Sequence, residues 1–317
     1  MRSHNKIKFI EKHLQEEYTV KALAGDASFR KYDRIHTNDK TYILMDSPPE
    51  HYSTEPFEKI AEFLLSHNIS APQIFHRDRT NGFLLLEDFG DTLMKDIIKT
   101  DRNKIYQLAI DLLIKLHNIS YPDWLTDYRI ENYLRELEIF TDYYIPLIHN
   151  RPLSASEKEH YLSLWYEVLV NMPDLGNTMV LKDYHVENLM YLDGKSGIEA
   201  LGVLDFQDAV IGSPMYDLVS LLEDAREDVP FEFAKEMLDY YLSNVPDINA
   251  QDGYDVYDIL GGQNHIRILG VFARKKIRDN SDNYLRYIPL VQKYLKKNLT
   301  NPALDKIKQW HDSMELY

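Results

Sequence analysis

Short segments in which apolar and polar positions alternate fill the first ninety residues, and this pattern predicts half-buried strands. One stretch, 55–67, instead has apolar residues three and four positions apart, which predicts a helix. Asn81-Gly82 is a favoured hairpin turn and joins the last two predicted strands. The predicted strands cover 20–23, 29–35, 41–45, 74–76 and 82–88.

Beyond residue 91 the spacing of apolar residues becomes helical, with one interruption. The interruption is a predicted hairpin, 188–192 and 201–204, turned at Asp193-Gly194. The pattern therefore predicts an α+β fold with a small β-rich lobe, 1–88, and a larger helical lobe, 89–317. The predicted helices cover 106–117, 132–144, 155–170, 216–223, 231–242, 255–277 and 283–295.

The charge balance narrows the possible partners. The chain has 51 acidic and 36 basic residues and a formal net charge of −15. We expect neither nucleic acid nor a membrane as partner, because both require a basic face. With no cysteine, disulfides, thiolate metal sites and thiol nucleophiles are excluded. No signal peptide or membrane-spanning apolar window is visible and no obligate protein partner is evident, so we predict a cytoplasmic protein.

Asp183, Asn188 and Asp205 form the most informative polar pattern in the chain. An acid, an amide five positions later and a second acid after a short hairpin is the layout that kinase folds use for phosphoryl transfer. Such a transfer needs positioning and charge neutralisation more than covalent chemistry, so three oxygen-bearing side chains can carry it.

The alternative is that Asp183 and Asn188 merely shape a surface turn. By composition, an Asp-x4-Asn match is expected about once in a chain of this length. The setting favours the functional interpretation, because a hairpin with Asn188 at one end and Asp205 at the other brings the two side chains close together.

Segments along nearly the whole chain resemble the aminoglycoside phosphotransferase-like kinases, which have a protein-kinase-like two-lobe fold. Within that group the chain is most similar to the N-acetylmuramate/N-acetylglucosamine kinases, which phosphorylate the anomeric hydroxyl during cell-wall sugar recycling. The matching segments, in the family's order, are 25–32 (GDASFRKY), 43–49, 82–88, 134–140, 182–185 with 188–190, 202–209 (GVLDFQDA), 212–218 through 224–226, and 265–274.

The resemblance implies a reaction with ATP and Mg²⁺ as cofactors and an amino sugar as the small-molecule partner. Asp183 would be the catalytic carboxylate, and Asn188 and Asp205 would be the metal ligands. Asp217 would be a buried structural acid supporting the catalytic loop. Lys182 departs from the family's arginine, because it keeps the positive charge but lacks the planar fork.

The nucleotide is expected between two segments of the small lobe. The polar break formed by Gly25, Asp26, Ala27 and Ser28 has backbone N–H groups that are free to face the ATP phosphates. Adenine is expected against the joint between the lobes, at Glu87, Asp88 and Phe89.

Many kinases neutralise the ATP phosphates with a lysine on the third strand, but Met45 stands at that position here. Another residue must therefore supply the positive charge. We predict that Arg30 takes this role, with Lys31 as the second choice. The alternative for Arg30 is an exposed cation on a strand.

Acceptor recognition is predicted on the helix 255–277, where Arg267, Val271, Arg274 and Arg278 continue one stripe. Guanidiniums on one face can receive an anion such as the lactyl carboxylate of N-acetylmuramate. The alternative is a solvated face paired with some of the 51 acids. Further candidates for the sugar hydroxyls are Glu136, Glu138, Asp224 and Arg226, each of which is also compatible with a surface position. His185 is not expected to bind zinc, since no second ligand lies at a suitable spacing.

The predicted function is therefore an ATP- and Mg²⁺-dependent sugar 1-kinase. The rival enzyme is a related kinase for an aminoglycoside, choline or another small alcohol. A rival from another class is a non-catalytic nucleotide-binding scaffold, motivated by Met45 and Lys182. The sequence leaves open the preferred sugar, ATP against GTP, the oligomeric state and the extent of lobe closure.

Overall fold

The computed structural model describes residues 2–23 and 29–316. By the density of its internal contacts the described chain forms two units. The first unit comprises the described residues of 1–109 and 187–208, and the second those of 110–186 and 209–317. The hairpin that carries Asn188 and Asp205 is thus part of the first unit, and the division of function at residue 88 stays a prediction.

The first unit contains an antiparallel sheet of five strands among its described residues, in the order β1-β2-β3-β5-β4. A helix, α2, stands between β3 and β4 in the chain, and a second strand pair, β7 and β8, completes the unit. The elements are α1 (Arg2–His13), β1 (Thr19–Ala22), β2 (Lys31–His36), β3 (Thr41–Asp46), α2 (Glu55–Ser66), β4 (Ile74–Asp78), β5 (Phe83–Glu87), α3 (Met94–Ile97), β7 (Leu189–Tyr191) and β8 (Leu201–Val203).

The two faces of this sheet differ because successive side chains of a strand point to opposite sides. One face packs on α1 in a cluster of Phe9, Ile10, Leu14, Ile35, Tyr42, Leu44, Phe83 and Leu85. Arg2 and Lys6 of α1 also pair with Asp46 and Asp33 on this face. The alternate positions of β2, β3 and β5 are left to the opposite face, where a cavity forms.

A glycine requirement explains the turn between β4 and β5. Gly82 has φ +70°, a left-handed conformation that favours glycine, and Ser47 packs against the position that a side chain would occupy. A Cβ at this position would lie 1.8 Å from the Ser47 carbonyl oxygen, and the Ser47 N–H donates to the Gly82 carbonyl at 2.8 Å. The predicted hairpin at Asn81-Gly82 is therefore confirmed, with a steric reason for the glycine.

The second unit is mainly helical. Its strands β6 and β9 form a short antiparallel pair, with Thr178 opposite Gly212. The helix α4 contributes residues to both units. The elements are α4 (Arg102–Asn118), α5 (Ile130–Ile139), α6 (Ile145–His149), α7 (Ala155–Val170), β6 (Thr178–Val180), β9 (Val210–Gly212), α8 (Met215–Leu222), α9 (Phe231–Asn244), α10 (Ala250–Asp279), α11 (Ile288–Asn298) and α12 (Asp305–Ser313).

The predicted helices all appear, most of them with different ends. Ala155–Val170 begins at a Ser154 cap, whose hydroxyl accepts from the Glu157 N–H at 3.2 Å, and this cap explains why its bounds match the prediction. The predicted helix 132–144 is interrupted, because the turn Phe140–Tyr144 is a wider π-helical turn. In the described parts of the chain, no helix combines the length and apolarity needed to cross a membrane.

Candidate active site

The open face of the sheet in the first unit encloses a cavity of about 380 Å³, which we call the sheet cavity. The surface of its walls is largely apolar, although several charged and polar residues also line it. The apolar residues are Leu23, Ile43, Phe57, Pro72, Leu86, Phe89, Met190 and Leu204, and the others are Arg30, Tyr32, Arg34, Glu87, Asp88, Gly90, Asn188 and Asp205. A largely apolar cavity that also has charged side chains is suited to a flat ring with a charged extension.

Arg34 fixes one end of the sheet cavity. This β2 residue is only 8% exposed, and its guanidinium pairs with Asp88 (Nε to Oδ2, 2.7 Å) and with Asp91 (2.8 Å). It also donates to the Gly90 carbonyl at 2.8 Å. The Asp88 carboxylate is thus occupied by an arginine, while Glu87 and Phe89, the other predicted joint residues, line the same cavity. Sequence reasoning missed Arg34, although it alternates with Tyr32 on the sheet face that bears the cavity.

The cation predicted for the phosphates lines the same cavity. The Arg30 guanidinium lies 4.9 Å from the ring centroid of Tyr52, a cation–π distance that keeps the charge near the cavity. Lys31 begins β2 and is exposed, whereas Met45 is fully buried. Gly25, Asp26, Ala27 and Ser28 lie outside the described residues.

Asn188 and Asp205 stand at the open end of the β7–β8 hairpin, and both line the sheet cavity. The Leu204 N–H donates to the Asn188 carbonyl at 2.9 Å, which holds the two ends of the hairpin together. Asp205 has φ +56°, a left-handed conformation that aspartate tolerates better than most residues. The Gln207 amide donates to its carboxylate at 2.7 Å.

The donor set fits a hard divalent cation. Amide and carboxylate oxygens are the ligands that Mg²⁺ prefers, and Mg²⁺ commonly takes only one or two groups from a protein. Among the described residues, His, Asp and Glu form no cluster of three that would make a complete metal site. A pair of protein oxygens, completed by nucleotide phosphates and water, is the arrangement that these residues match.

In the second unit, the loop that carries Asp183 is held by Asp217. The N–H groups of Leu181 and Lys182 donate to the two carboxylate oxygens of Asp217 at 2.6 and 2.9 Å. These bonds compensate Lys182 for its left-handed backbone, φ +73°, which costs a non-glycine residue on the order of 1 kcal/mol. Burial raises the pKa of Asp217 to about 7, against the effect of the two N–H donors. Asp217 therefore shapes the loop from beneath.

Asp183 lines a second cavity, of about 170 Å³, which we call the Asp183 cavity. Charged groups dominate its walls, in contrast to the sheet cavity. Four predicted site residues meet here: Asp183, Asp224, Arg226 and Arg267. The remaining lining residues are Lys182, His185, Ser220, Glu223, Ala225, Asn264, Ile268, Val271 and Phe272.

Arg267 is the best supported member of the predicted arginine stripe. It and Val271 line the Asp183 cavity, whereas Arg274 is half-buried about two helical turns further on and Arg278 pairs with Asp279 at 2.7 Å. Burial works against the Arg267 charge, but Tyr216, Glu136 and Asp183 raise the pKa of its guanidinium. Asn264 fixes the guanidinium by accepting from it at 2.9 Å.

Glu136 lies against two residues of the cavity wall. Its carboxylate oxygens are 3.7 Å from Lys182 Nζ and 3.7 Å from Arg267 Nε, and Gln263 donates to it at 3.4 Å. Lys182 Nζ also lies 4.8 Å from the ring centroid of Tyr128. Glu136 thus balances the charge of two cations, a role that its position in the sequence does not reveal. Glu138 pairs with Lys158 instead.

The segment after α8 supplies the rest of the wall. Asp224 is buried and accepts from the Arg226 N–H at 2.9 Å. Glu223, the residue before it, also lines the cavity and was missed by sequence reasoning. The only available signal was its place beside Asp224.

Comparison with known proteins identifies a kinase family along most of the chain. A model of a phosphotransferase enzyme family (APH) matches residues 19–259. The chain is 32% identical to the N-acetylmuramate/N-acetylglucosamine kinase of Caulobacter vibrioides, over 92% of this chain and 90% of that protein. It is 31% identical to the protein of the same name from Pseudomonas aeruginosa, over 86% of this chain and 81% of that one.

Solved structures agree in fold. ADP-bound aminoglycoside phosphotransferase APH(2'')-Ib superposes with a TM-score of 0.61 at 18% identity, over 92% of this chain and 96% of that one. Choline kinase LicA from Streptococcus pneumoniae also gives 0.61, at 16% identity, over 93% and 99%. The predicted α+β fold of the protein-kinase-like kind, with a β-rich and a helical part, is confirmed.

Proposed function

Because the chain belongs to the APH phosphotransferase enzyme family, we propose that it is an ATP- and Mg²⁺-dependent kinase that phosphorylates the anomeric hydroxyl of N-acetylmuramate, N-acetylglucosamine or both. The acceptor class is supported by the names of relatives that match nearly the whole chain. The observation that carries the proposal in the structure is the Asp183 cavity, where an acid on a braced loop faces charged, hydrogen-bonding walls.

The sheet cavity is the proposed nucleotide site. Its apolar walls suit adenine, and the backbone at Glu87 and Phe89 suits the polar edge of the base. Arg30 is proposed to face the phosphates, with Lys31 second, together with the backbone of Gly25, Asp26, Ala27 and Ser28. Asp88 is proposed to act indirectly, because its ion pair with Arg34 fixes the segment 88–91 at the cavity.

Asn188 and Asp205 are the proposed ligands of Mg²⁺, whose charge would neutralise the phosphates of the bound nucleotide. The Asn188 carbonyl bond to Leu204 and the left-handed backbone of Asp205 fix the two side chains on one edge of the hairpin.

Asp183 is proposed to orient the anomeric hydroxyl and to receive its proton. An anomeric hydroxyl is more acidic than an ordinary alcohol, so a weak carboxylate base is sufficient. Asp217 contributes by holding the backbone of the preceding residues, which places the Asp183 side chain at the cavity.

Arg267 is proposed to receive the lactyl carboxylate when N-acetylmuramate is bound, with Asp224 and Arg226 facing the hydroxyls. Guanidiniums suit carboxylates because they donate two parallel hydrogen bonds. Glu136 is proposed to act on the acceptor through Arg267, which it contacts. Arg274 is proposed to add positive potential from further along α10.

An acceptor panel tests this proposal. The protein is incubated with ATP, Mg²⁺ and one acceptor at a time, and ADP release is followed by a coupled assay. We expect turnover with N-acetylmuramate or N-acetylglucosamine and little with aminoglycosides or choline. Turnover restricted to an aminoglycoside or choline would move the acceptor to another class. Binding of ATP without transfer to any acceptor would favour a scaffold.

A further inference from the structure

Glu223 occupies an unusual position in the wall of the Asp183 cavity. It is 2% exposed, directly follows α8 and precedes the residues Asp224, Ala225 and Arg226 that line the same cavity. A charged carboxylate this deep in a protein requires partners, because an unpaired one costs several kcal/mol. Its partners come from two other helices.

His265 of α10 and Asn298 of α11 surround Glu223, and both are buried. The Asn298 amide nitrogen lies 3.1 Å from Glu223 Oε2, and His265 Nδ1 lies 3.6 Å from the same oxygen. The other ring nitrogen of His265, Nε2, lies 3.2 Å from the Glu223 carbonyl oxygen. His265 Nδ1 also lies 2.9 Å from Asn298 Oδ1. Each of the three residues thus contacts the other two.

These contacts require one proton more than a neutral imidazole and an ionised carboxylate supply. Nε2 faces a carbonyl, which only accepts, so it must carry a hydrogen. Nδ1 faces Asn298 Oδ1, which also only accepts, so it must carry a hydrogen as well. If the Asn298 amide is turned over, its oxygen faces the Glu223 carboxylate, and that carboxylate must then be protonated. Both orientations leave one additional proton within the group.

The charges around the triad act on that proton in both directions. Lys297 Nζ lies 3.3 Å from Glu223 and 2.6 Å from Asp258, so one cation faces two acids. The other titratable groups packed against the triad are Tyr257 and Tyr294, whose ring stacks on His265 at 5.5 Å. Burial lowers the pKa of His265 below its ordinary value and Lys297 acts in the same direction, while the Glu223 carboxylate, the Glu223 carbonyl and Asn298 act to raise it. The additional proton is therefore inferred from the contacts. An imidazolium balances the group, because two cations then face two acids.

A glycine makes this packing possible. A Cβ on Gly261 would lie 2.5 Å from the Asn298 amide nitrogen and 3.0 Å from Glu223 Oε2. The next residue, Gly262, is less restricted, because its Cβ would meet the flexible end of Leu304 at 3.1 Å. The two neighbouring glycines of α10 therefore provide a test position and a matched control.

We propose that Glu223, His265 and Asn298 form a proton-sharing positioning triad, which fixes the Asp224–Arg226 segment against the acceptor in the Asp183 cavity. His265 holds the backbone of this segment through the Glu223 carbonyl, and Asn298 holds it through the carboxylate. The triad does not touch the reacting atoms. Its effect on an amino-sugar acceptor rests on the proposed function, whereas its proton content does not.

The proton is tested on the full chain without substrate. Spectra of ¹⁵N-labelled histidine and ¹³C-labelled glutamate are recorded at pH 8, where an ordinary histidine is neutral. We expect a His265 imidazolium, or a neutral His265 with a protonated Glu223, and loss of the additional proton in Glu223→Gln. His311 is the buried control, since burial lowers its pKa to about 3 and keeps it neutral in both proteins. A neutral His265 beside an ionised Glu223 would overturn the proposal.

Positioning is tested by kinetics. We expect Glu223→Gln and Gly261→Ala to raise the KM for the amino sugar about tenfold and to leave the KM for the nucleotide within about twofold, as for a lost charge-assisted contact. Gly262→Ala is expected to leave both within about twofold. An equal change in both KM values, or none in either, would contradict the positioning role. Should wild-type protein fail to act on amino sugars, the proposed function fails, while the spectra still decide on the triad.

Discussion

The sheet cavity and the Asp183 cavity are built in opposite ways. The first measures about 380 Å³ and has mostly apolar walls from strands and a hairpin. The second measures about 170 Å³ and has walls rich in charged residues, from the Asp183 loop, the segment after α8 and the middle of α10. Apolar walls recognise a ring by the area they bury, whereas charged walls recognise hydroxyls and anions by direction. The difference matches the division between a nucleotide and a sugar acceptor.

The two cavities also differ in how their polar groups are held. In the sheet cavity, a single arginine, Arg34, fixes the segment from Asp88 to Asp91. In the Asp183 cavity, three parts of the wall are held by residues behind them: Asp217 holds the loop, Glu136 pairs with Arg267, and His265 and Asn298 hold Glu223, the residue before Asp224. The Asp183 cavity therefore depends on residues that lie behind its lining, whereas the sheet cavity depends on Arg34, which is part of its lining.

Replacement of the catalytic acid should have the largest effect. We expect Asp183→Asn to lower kcat by about 10³, because proton transfer to the carboxylate is lost. The KM for the nucleotide should remain close to that of the wild type, since the sheet cavity is unchanged. The measurement is steady-state ADP release at saturating acceptor. A near-normal kcat would remove Asp183 from the mechanism.

Loss of a proposed metal ligand should be the next largest. We expect Asp205→Asn to lower kcat by about 10² and to raise the Mg²⁺ concentration that gives half-maximal rate, because an anionic ligand is lost. Asp208→Asn is the control, since Asp208 is an exposed acid three residues later. If both variants show the same Mg²⁺ dependence, Asp205 is not a ligand.

The acceptor arginine should have a smaller and more selective effect. We expect Arg267→Lys to raise the KM for N-acetylmuramate about tenfold and the KM for N-acetylglucosamine less, because a lysine cannot make the paired contact to a carboxylate. Arg278→Lys serves as the control on the same helix, being exposed and paired with Asp279. An equal rise for both sugars would place Arg267 away from the lactyl group.

The smallest effect that we predict concerns the acid stability of the second unit. Burial lowers the pKa of His311 in the second unit to about 3, below its ordinary value of 6.5. A lowered pKa stabilises the fold above pH 6.5 and loses that contribution as the pH falls toward 3. Between pH 6.5 and 5 the loss is about 2 kcal/mol.

Hydrogen exchange at pH 7.5 and pH 5 measures this loss in the wild type and in His311→Phe. Asp217, whose pKa burial raises to about 7, acts in the opposite direction, because the folded protein takes up its proton as the pH falls. Since Asp217 is present in both proteins, we expect protection in the second unit to fall by about 2 kcal/mol more in the wild type than in His311→Phe. An equal fall in the two proteins would show that the buried histidine does not govern the acid response.

Local patterns in the sequence were sufficient to predict the strands, the helices and the family. The alternation of β2 and β3 and the Ser154 cap are decided by neighbours in the chain. The Gly82 turn is favoured locally as well, although Ser47, a distant residue, adds the steric requirement for glycine. The family predicted from the matching segments is confirmed by relatives about 31% identical over most of the chain. Segments with their own periodicity were predicted because their structure depends on few distant residues.

The supporting residues of the site depend on contacts between distant parts of the chain. Glu136 meets Lys182 and Arg267, and Glu223 meets His265 and Asn298, in each case across more than thirty residues. Neither spacing nor composition indicates which of 51 acids will face a cation. The same reason explains why Arg34 was overlooked while its neighbour Arg30 was selected.

The position of the new phosphate is the most direct test of the proposed kinase. The protein is incubated with ATP, Mg²⁺ and N-acetylmuramate or N-acetylglucosamine, and the product is examined by ³¹P NMR coupled to the sugar protons. We expect a phosphate signal coupled to the proton on C1 with the wild type and no such signal with Asp183→Asn. A phosphate coupled to the protons on C6 would contradict it.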